Sequence, residues 1–338
     1  MMIDLTLEGE PSAAVPGARP LLDVRGLGVS FGRGPTAVKL VENISFSVAP
    51  GERIALVGES GSGKSVTAQA LMRLNPRMQV SGVVEVGGRN LVGLTDQQMT
   101  AERGATFGMV FQDPMSSLDP LMTIGDQVAE TLRIRGVSAA EARARALRVL
   151  DELRVDRAAE RLNAYPHEFS GGMRQRVVLA MALIGEPKVL IADEPTTALD
   201  VRVQERVLDL LYSVSEQRGL AVLLITHDMG IVAGFADRVM VMYAGQIIEQ
   251  NDVEALFARP QHPYTQGLLE AIPRLDQQSS RLRSIPGAPP TPFARPPGCH
   301  FNPRCPKVME ICRSVYPATT EAAGSRVACH LYGGAAHA

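Results

Sequence analysis

Gly58-Glu59-Ser60-Gly61-Ser62-Gly63-Lys64-Ser65 stands between an apolar run, Ile54 to Val57, and a predicted helix beginning near Lys64. The pattern is G-x-x-x-x-G-K-[ST], a phosphate cradle. Gly58, Ser60, Gly61, Ser62 and Gly63 turn backbone N–H groups inward on a polyphosphate. Lys64 reaches the outer phosphates, and the Ser65 hydroxyl can ligate Mg²⁺. The helix start adds the positive end of its dipole. A glycine-rich turn that binds nothing has the same local sequence, so partners elsewhere in the chain decide the matter.

Upstream, Leu22, Val24 and Leu27, then Val41, Ile44, Phe46 and Val48, alternate with polar residues around a turn at Gly32 to Gly34, which predicts antiparallel strands. Phe31 stands near this turn and can stack on a nucleotide base or pack in the core or the turn. Downstream, a helix continues from Val66 to Leu74 until Asn75-Pro76 stops it. Short strands follow near Gly82 to Val86 and Phe107 to Phe111, the second ending at Gln112. Ile124 to Ile134, and then Ala142, Ala146, Val149, Leu150 and Leu153 on one face after Ser138, read as amphipathic helices of a small helical subdomain.

The partners follow in order. Phe169-Ser170-Gly171-Gly172-Met173 precedes an apolar helix, Val177 to Ile184, and offers a hydroxyl and exposed amides at a helix N-terminus. It suits an anion site or an ordinary cap. Val189 to Ala192 is an apolar strand ending in Asp193 and Glu194. The first acid is placed to hold Mg²⁺ through its water shell and the second to polarise an attacking water. Ala198-Leu199-Asp200 leads into a helix over Val203 to Gln217, and a further strand, Ala221 to Ile225, closes with Thr226-His227-Asp228. His227 there is either a structural hydrogen-bonding residue or a ligand group at a strand end.

The 338 residues, 45% hydrophobic, allow one large core with an appendage, or two to three modest units. A formal charge of −2 gives no general reason to expect nucleic acid as a partner. Uninterrupted apolar stretches fall short of the roughly 18 residues of a membrane span. Met1 to Pro20 lacks the basic start and apolar block of a secretory signal and reads as a flexible leader.

All four cysteines, Cys299, Cys305, Cys312 and Cys329, lie in a Pro-rich tail as C-x5-C-x6-C-x16-C. Four thiolates suit an iron–sulfur cluster or zinc, while disulfides or unligated thiols are the alternatives. The absence of paired C-x2-C knuckles tilts the choice toward iron–sulfur. His300 and His330 each follow a cysteine and are candidate alternative ligands or plain neighbours.

The ordered set from phosphate loop to His227 resembles the nucleotide-binding subunit of an ATP-binding cassette transporter. The resemblance implies an α/β fold: a P-loop ATPase core with an antiparallel β subdomain and a helical subdomain, plus a small irregular C-terminal metal-binding extension. The corresponding divisions are a leader over 1–20, a cassette over 21–255 with its helical part near 113–175, and an extension over 256–338. It further implies that two cassettes pack head to tail, so that Ser170, Gly171 and Gly172 of one face the ATP held by the other. On this resemblance Phe31 stacks on adenine, Ser65, Gln112 and Asp193 attend Mg²⁺, Glu194 polarises water, His227 contacts the γ-phosphate, and Asp200 works across the dimer interface. The family's usual L-S-G-G-Q reads Phe169-Ser170-Gly171-Gly172-Met173 here, which keeps the hydroxyl and glycine amides and loses a side-chain amide.

Phe111-Gln112-Asp113-Pro114-Met115-Ser116-Ser117-Leu118-Asp119-Pro120 and His262-Pro263-Tyr264-Thr265 look like the oligopeptide and dipeptide importer branch, as do Ile285-Pro286-Gly287, Pro289-Pro290, Gly298-Cys299 and Pro303-Arg304-Cys305-Pro306. That branch implies a [4Fe–4S] cluster on the four cysteines, with zinc as the alternative. It also implies a sister cassette, two membrane-spanning permease subunits, an extracytoplasmic solute-binding protein and a peripheral place on the cytoplasmic face of the membrane. Another solute, such as a nickel chelate or glutathione, would leave this subunit's chemistry unchanged. A soluble cassette ATPase acting on nucleic acid or ribosomes would tend to carry a long coiled-coil insertion or a second phosphate loop, and this chain has neither.

Overall fold

The computed structural model describes residues 19–113, 117–197, 199–272 and 284–333. The leader up to residue 18, Pro114, Met115 and Ser116 of the importer-like stretch, and Ala198 lie outside these residues. The described chain forms two sheets. Strands β1 (Leu22–Phe31), β2 (Val38–Val48), β4 (Met78–Val86) and β5 (Arg89–Asn90) make the smaller, antiparallel in the order β2-β1-β4-β5. Leu22, Val24, Leu27 and Val29 are buried, yet the step from Val24 to Leu27 breaks a period of two. Gly26, at φ +58°, lies where the register with β4 slips, so a bulge restores the inward face.

The larger sheet runs β11-β12-β10-β9-β3-β8-β7-β6. Its members are β3 (Arg53–Val57), β6 (Phe107–Val110), β7 (Val189–Asp193), β8 (Ala221–Thr226), β9 (Arg238–Tyr243), β10 (Gln246–Asp252), β11 (Thr319–Ala322) and β12 (Ser325–Ala328). The five from β9 to β6 are parallel. Their continuous apolar runs follow from burial on both faces. Pairing of Val57 with Thr226 and of Asp193 with Ile225 brings the carboxyl ends of β3, β7 and β8 level. The phosphate loop, Glu194 and His227 all leave from this edge, where parallel sheets present ligand groups.

Helix α1 (Lys64–Leu71) follows the phosphate loop and ends earlier than the expected stop at Asn75-Pro76. Arg73 adopts φ +49° and the Leu74 N–H returns to the Gln69 carbonyl at 3.0 Å, so a left-handed C-terminal turn closes the helix first. Helix α2 (Asp96–Glu102), unforeseen in the sequence reading, starts at a reciprocal box in which the Thr95 side chain accepts from the Gln98 N–H and the Gln98 side chain from the Thr95 N–H.

The middle of the chain is helical as expected: α3 (Ile124–Ile134), α4 (Ala139–Glu152), α5 (Ala158–Arg161) and α6 (Gly171–Leu183) share a core that includes Val128, Leu132, Ala146, Leu150 and Val177. Beyond it lie α7 (Val201–Arg218), α8 (Met229–Phe235), α9 (Val253–Ala258), which spans residue 255, and α10 (Pro263–Glu270).

The tail corrects one expectation. It is not irregular throughout: β12 pairs with β10 through Glu249↔Val327 and Gln250↔Arg326, and with β11 it extends the main sheet. A segment with little apolar content orders itself by borrowing a core. Phe301 is buried against Tyr243 and Tyr264, at ring-centroid distances of 5.3 and 5.4 Å, in a cluster with Val57, Val241 and Leu256.

Candidate nucleotide site and cysteine cavity

The phosphate loop is locked from behind. The Ser62 carbonyl accepts the Gly245 N–H at 2.7 Å, and a Cβ placed on Gly58 would lie 2.2 Å from the carbonyl oxygen of Met242 in β9. Gly61 and Gly63 take φ +79° and +109°, conformations that suit glycine. Gly58→Ala is therefore expected to destabilise the fold by about 3 kcal/mol, because a backbone oxygen cannot step aside as a side chain can. A lowered midpoint in urea unfolding checks this.

Lys64 is buried and its Nζ donates to the Gly58 and Glu59 carbonyls at 2.7 and 3.1 Å. Burial lowers its pKa, opposed by the charges of Glu194, Asp193 and Glu59. The Ser65 hydroxyl donates to Asp193 Oδ1 at 3.1 Å, and burial raises the Asp193 pKa against that hydrogen bond. A buried ammonium beside a half-buried hydroxyl that bonds a buried carboxylate fits a polyphosphate with a divalent cation, whose opposite charges the two ionisable groups would meet. The Ser62 hydroxyl adds a buried polar atom without a hydrogen-bond partner among the described residues.

Glu194 is held at its backbone and at both carboxylate oxygens. It takes φ +46°, with its N–H on the Ile225 carbonyl at 2.9 Å. Its Oε2 accepts from Gln112 Nε2 and from the Thr197 hydroxyl, each at 3.0 Å, and its Oε1 lies 3.2 Å from His227 Nδ1. Gln112, Glu194 and His227, which lie on three separate segments, thus meet. Thr197 was missed by the sequence reading; its offset of three from Glu194 was the available signal.

Phe31 ends β1 and is 43% exposed, which excludes the core-packing alternative. Ser170 is exposed and sits at the N-cap of α6 without a side-chain capping bond, so its hydroxyl is not spent as a cap. Gly172 is where α6 approaches α7: a Cβ there would lie 2.7 Å from Val203 Cγ1. Asp200 caps α7 through the Val203 N–H at 3.1 Å, a role that leaves its second carboxylate oxygen for other contacts.

The four cysteines are free thiols, and all four line one enclosed cavity with Phe301 and His262. Burial pushes the Cys299 and Cys329 thiols up to about 11, and the neighbouring cysteines push in the same direction. Among the described residues, no group of three or more His, Cys, Asp or Glu side chains is placed to hold a metal ion. His330 also lines this cavity, with its Nε2 2.9 Å from the Val315 carbonyl.

A parallel sheet with a glycine-rich strand-to-helix loop and acids at the adjoining strand end defines a P-loop nucleotide-binding fold. Comparison with known proteins agrees. The family described as ABC transporter matches residues 41–197, and the oligopeptide/dipeptide transporter C-terminal region matches 248–312. The oligopeptide transport ATP-binding protein OppD of Salmonella typhimurium is 44% identical over 327 residues, covering 96% of this chain and 98% of that one. The dipeptide transport ATP-binding protein DppD of Bacillus subtilis is 48% identical over 304 residues, covering 89% and 91%. In three dimensions the ATP-binding cassette MJ0796, solved as a dimer in a post-hydrolysis state with ADP and Pi, superposes with a TM-score of 0.61 at 28% identity, over 69% of this chain and 98% of that one. The chain belongs to the ABC transporter ATP-binding proteins of the oligopeptide/dipeptide type. None of its described helices is long and apolar enough to cross a membrane.

Proposed function

We propose that this chain is the ATP-hydrolysing motor subunit of a membrane importer for di- and oligopeptides. The observation that carries this reading is the convergence of Gln112, Thr197 and His227 on the Glu194 carboxylate, beside the Ser65–Asp193 pair and the phosphate loop. Lys64 and the loop amides hold the outer phosphates of ATP, Phe31 stacks on adenine, and Ser65, Asp193 and Gln112 face the Mg²⁺. Bound Mg²⁺ neutralises charge on the phosphates. Glu194 accepts a proton from the attacking water while His227 orients it. Ser170, Gly171 and Gly172 of a second cassette, a sister chain, close over the same ATP, and Asp200 lies at that interface.

A groove of about 550 Å³ beside Gln112, lined by Met72, Leu74, Phe107, Met109, Phe111 and Met181, supports docking of the two permease subunits on the cytoplasmic face of the membrane. The solute-binding protein reaches the motor only through them. The four cysteines on one cavity support a [4Fe–4S] centre in the extension, held by Cys299, Cys305, Cys312 and Cys329. Each thiolate would then face a cationic centre rather than its like-charged neighbours.

Anaerobic co-purification with the native membrane partners tests the whole reading. Peptide-stimulated ATP hydrolysis and about four iron and four sulfide per chain are expected. Recovery only with DNA or ribosomes would refute the transport role, and a zinc-loaded, iron-free tail would refute the cluster.

A further inference from the structure

Glu59, the second residue of the phosphate loop, is gripped at every polar group. Its two carboxylate oxygens accept from Arg304 Nη1 and Nη2 at 2.7 and 2.9 Å. Its N–H donates to the Tyr264 hydroxyl at 2.9 Å, and its carbonyl accepts from Lys64 Nζ at 3.1 Å. Arg304 and Tyr264 both lie beyond the parallel core. Arg304 belongs to the extension, immediately before Cys305, and Tyr264 to α10. Neither partner is free to wander. Arg304 Nε donates to the Pro286 carbonyl at 2.9 Å and its Nη1 also approaches the Tyr243 hydroxyl at 3.3 Å, with the guanidinium 5.8 Å from the Tyr243 ring centre. Tyr264 is wholly buried between Tyr243 and Phe301.

We infer that Arg304 and Tyr264 are positioning residues for ATP: the C-terminal extension braces the phosphate loop through Glu59, and Glu59 in turn sets where Lys64 waits. The chemistry is a bidentate guanidinium–carboxylate pair, strong and directional, joined to a loop whose amides must already point inward to hold phosphate. The brace does not touch ATP. It spares the nucleotide the cost of ordering the loop, so its loss falls on affinity. This inference rests on the reading of Gly58 to Ser65 as the phosphate site.

The test is titration of a fluorescent ATP analogue into the full chain, with thermal unfolding measured alongside, and ATP turnover in the assembled complex. Arg304→Met is expected to raise the Kd about tenfold. Arg304→Lys, which keeps the charge but not the fork, restores part of it. Tyr264→Phe and Glu59→Gln shift the Kd in the same direction. In the Arg304→Met/Glu59→Gln double variant the effects do not multiply, because both act through one contact. In turnover the change appears in KM for ATP rather than in kcat, which a general loss of folded protein would not produce. An unchanged Kd in Arg304→Met, or effects that multiply, overturns the inference. Should Arg304→Met fail to fold, Glu59→Gln decides alone, since an unchanged Kd there is equally fatal. A wild-type chain that binds no ATP would refute the phosphate site itself.

Discussion

Glu194→Gln is expected to lower steady ATP hydrolysis by the assembled transporter about 10²- to 10⁴-fold while ATP binding persists. The substitution removes a base and little else. Glutamine keeps the length of the side chain and one carbonyl oxygen, so it can still accept from Gln112 or Thr197, which now meet at Oε2. The backbone at φ +46° asks no more of glutamine than of glutamate. Lys64, Ser65 and Asp193, which in the proposed function would hold the phosphates and Mg²⁺, are untouched, so nucleotide should still draw two cassettes together and then fail to release them. Rapid-quench turnover with radiolabelled ATP separates the outcomes. Binding without turnover supports Glu194 as the base, whereas near-normal turnover refutes that assignment and leaves His227 to carry the proton.

The parts of this site that were legible in the sequence are those whose chemistry is local. A phosphate loop needs glycines at fixed offsets, and a buried strand ending in acids announces itself because continuous apolar residues followed by Asp193-Glu194 is a costly arrangement without a cation or a proton to transfer. Where side-chain identity leaves several readings open, geometry removes one of them. Ser170 makes no capping bond, and Phe31 is not in the core.

What stayed illegible depends on contacts distant in sequence. Glu59 and Arg304 are 245 positions apart, and nothing at either position signals the other. From its sequence the Pro-rich tail reads as small and irregular. Phe301 instead completes an aromatic cluster begun by Tyr243 and Tyr264, and β12 finds an open edge at β10. A composition argument counts residues within a segment and cannot see a surface that another segment leaves exposed. Helix α1 differs for a local reason: a left-handed turn at Arg73 ends it before Asn75-Pro76.

Gly171→Arg tests whether the site is completed by another subunit. Gly171 is exposed at the first position of α6, and a Cβ there meets only Leu199 Cδ2 at 3.6 Å, so the folded chain has room for the new side chain. A cation at a helix N-terminus costs about 0.3–1 kcal/mol, too little to unfold a core of this size. ATP affinity of the isolated chain should therefore be unchanged, since the phosphate loop that binds the nucleotide is elsewhere. Hydrolysis of the ATP held by the facing cassette of the assembled complex should fall about 10²- to 10³-fold, the loss typical of removing a preorganised donor to a reacting anion, because the arginine blocks approach to that ATP. With a sister chain as partner, the lesion falls on the site whose lysine and glutamate belong to that sister. The variant's own Lys64 and Glu194 remain served by the sister's loop. Weakened ATP binding by the isolated variant would mean that Ser170 and Gly171 serve the nucleotide of their own chain, and unaltered turnover would mean that they serve none. Loss of turnover with binding intact is what two half-sites closing on shared ATP require.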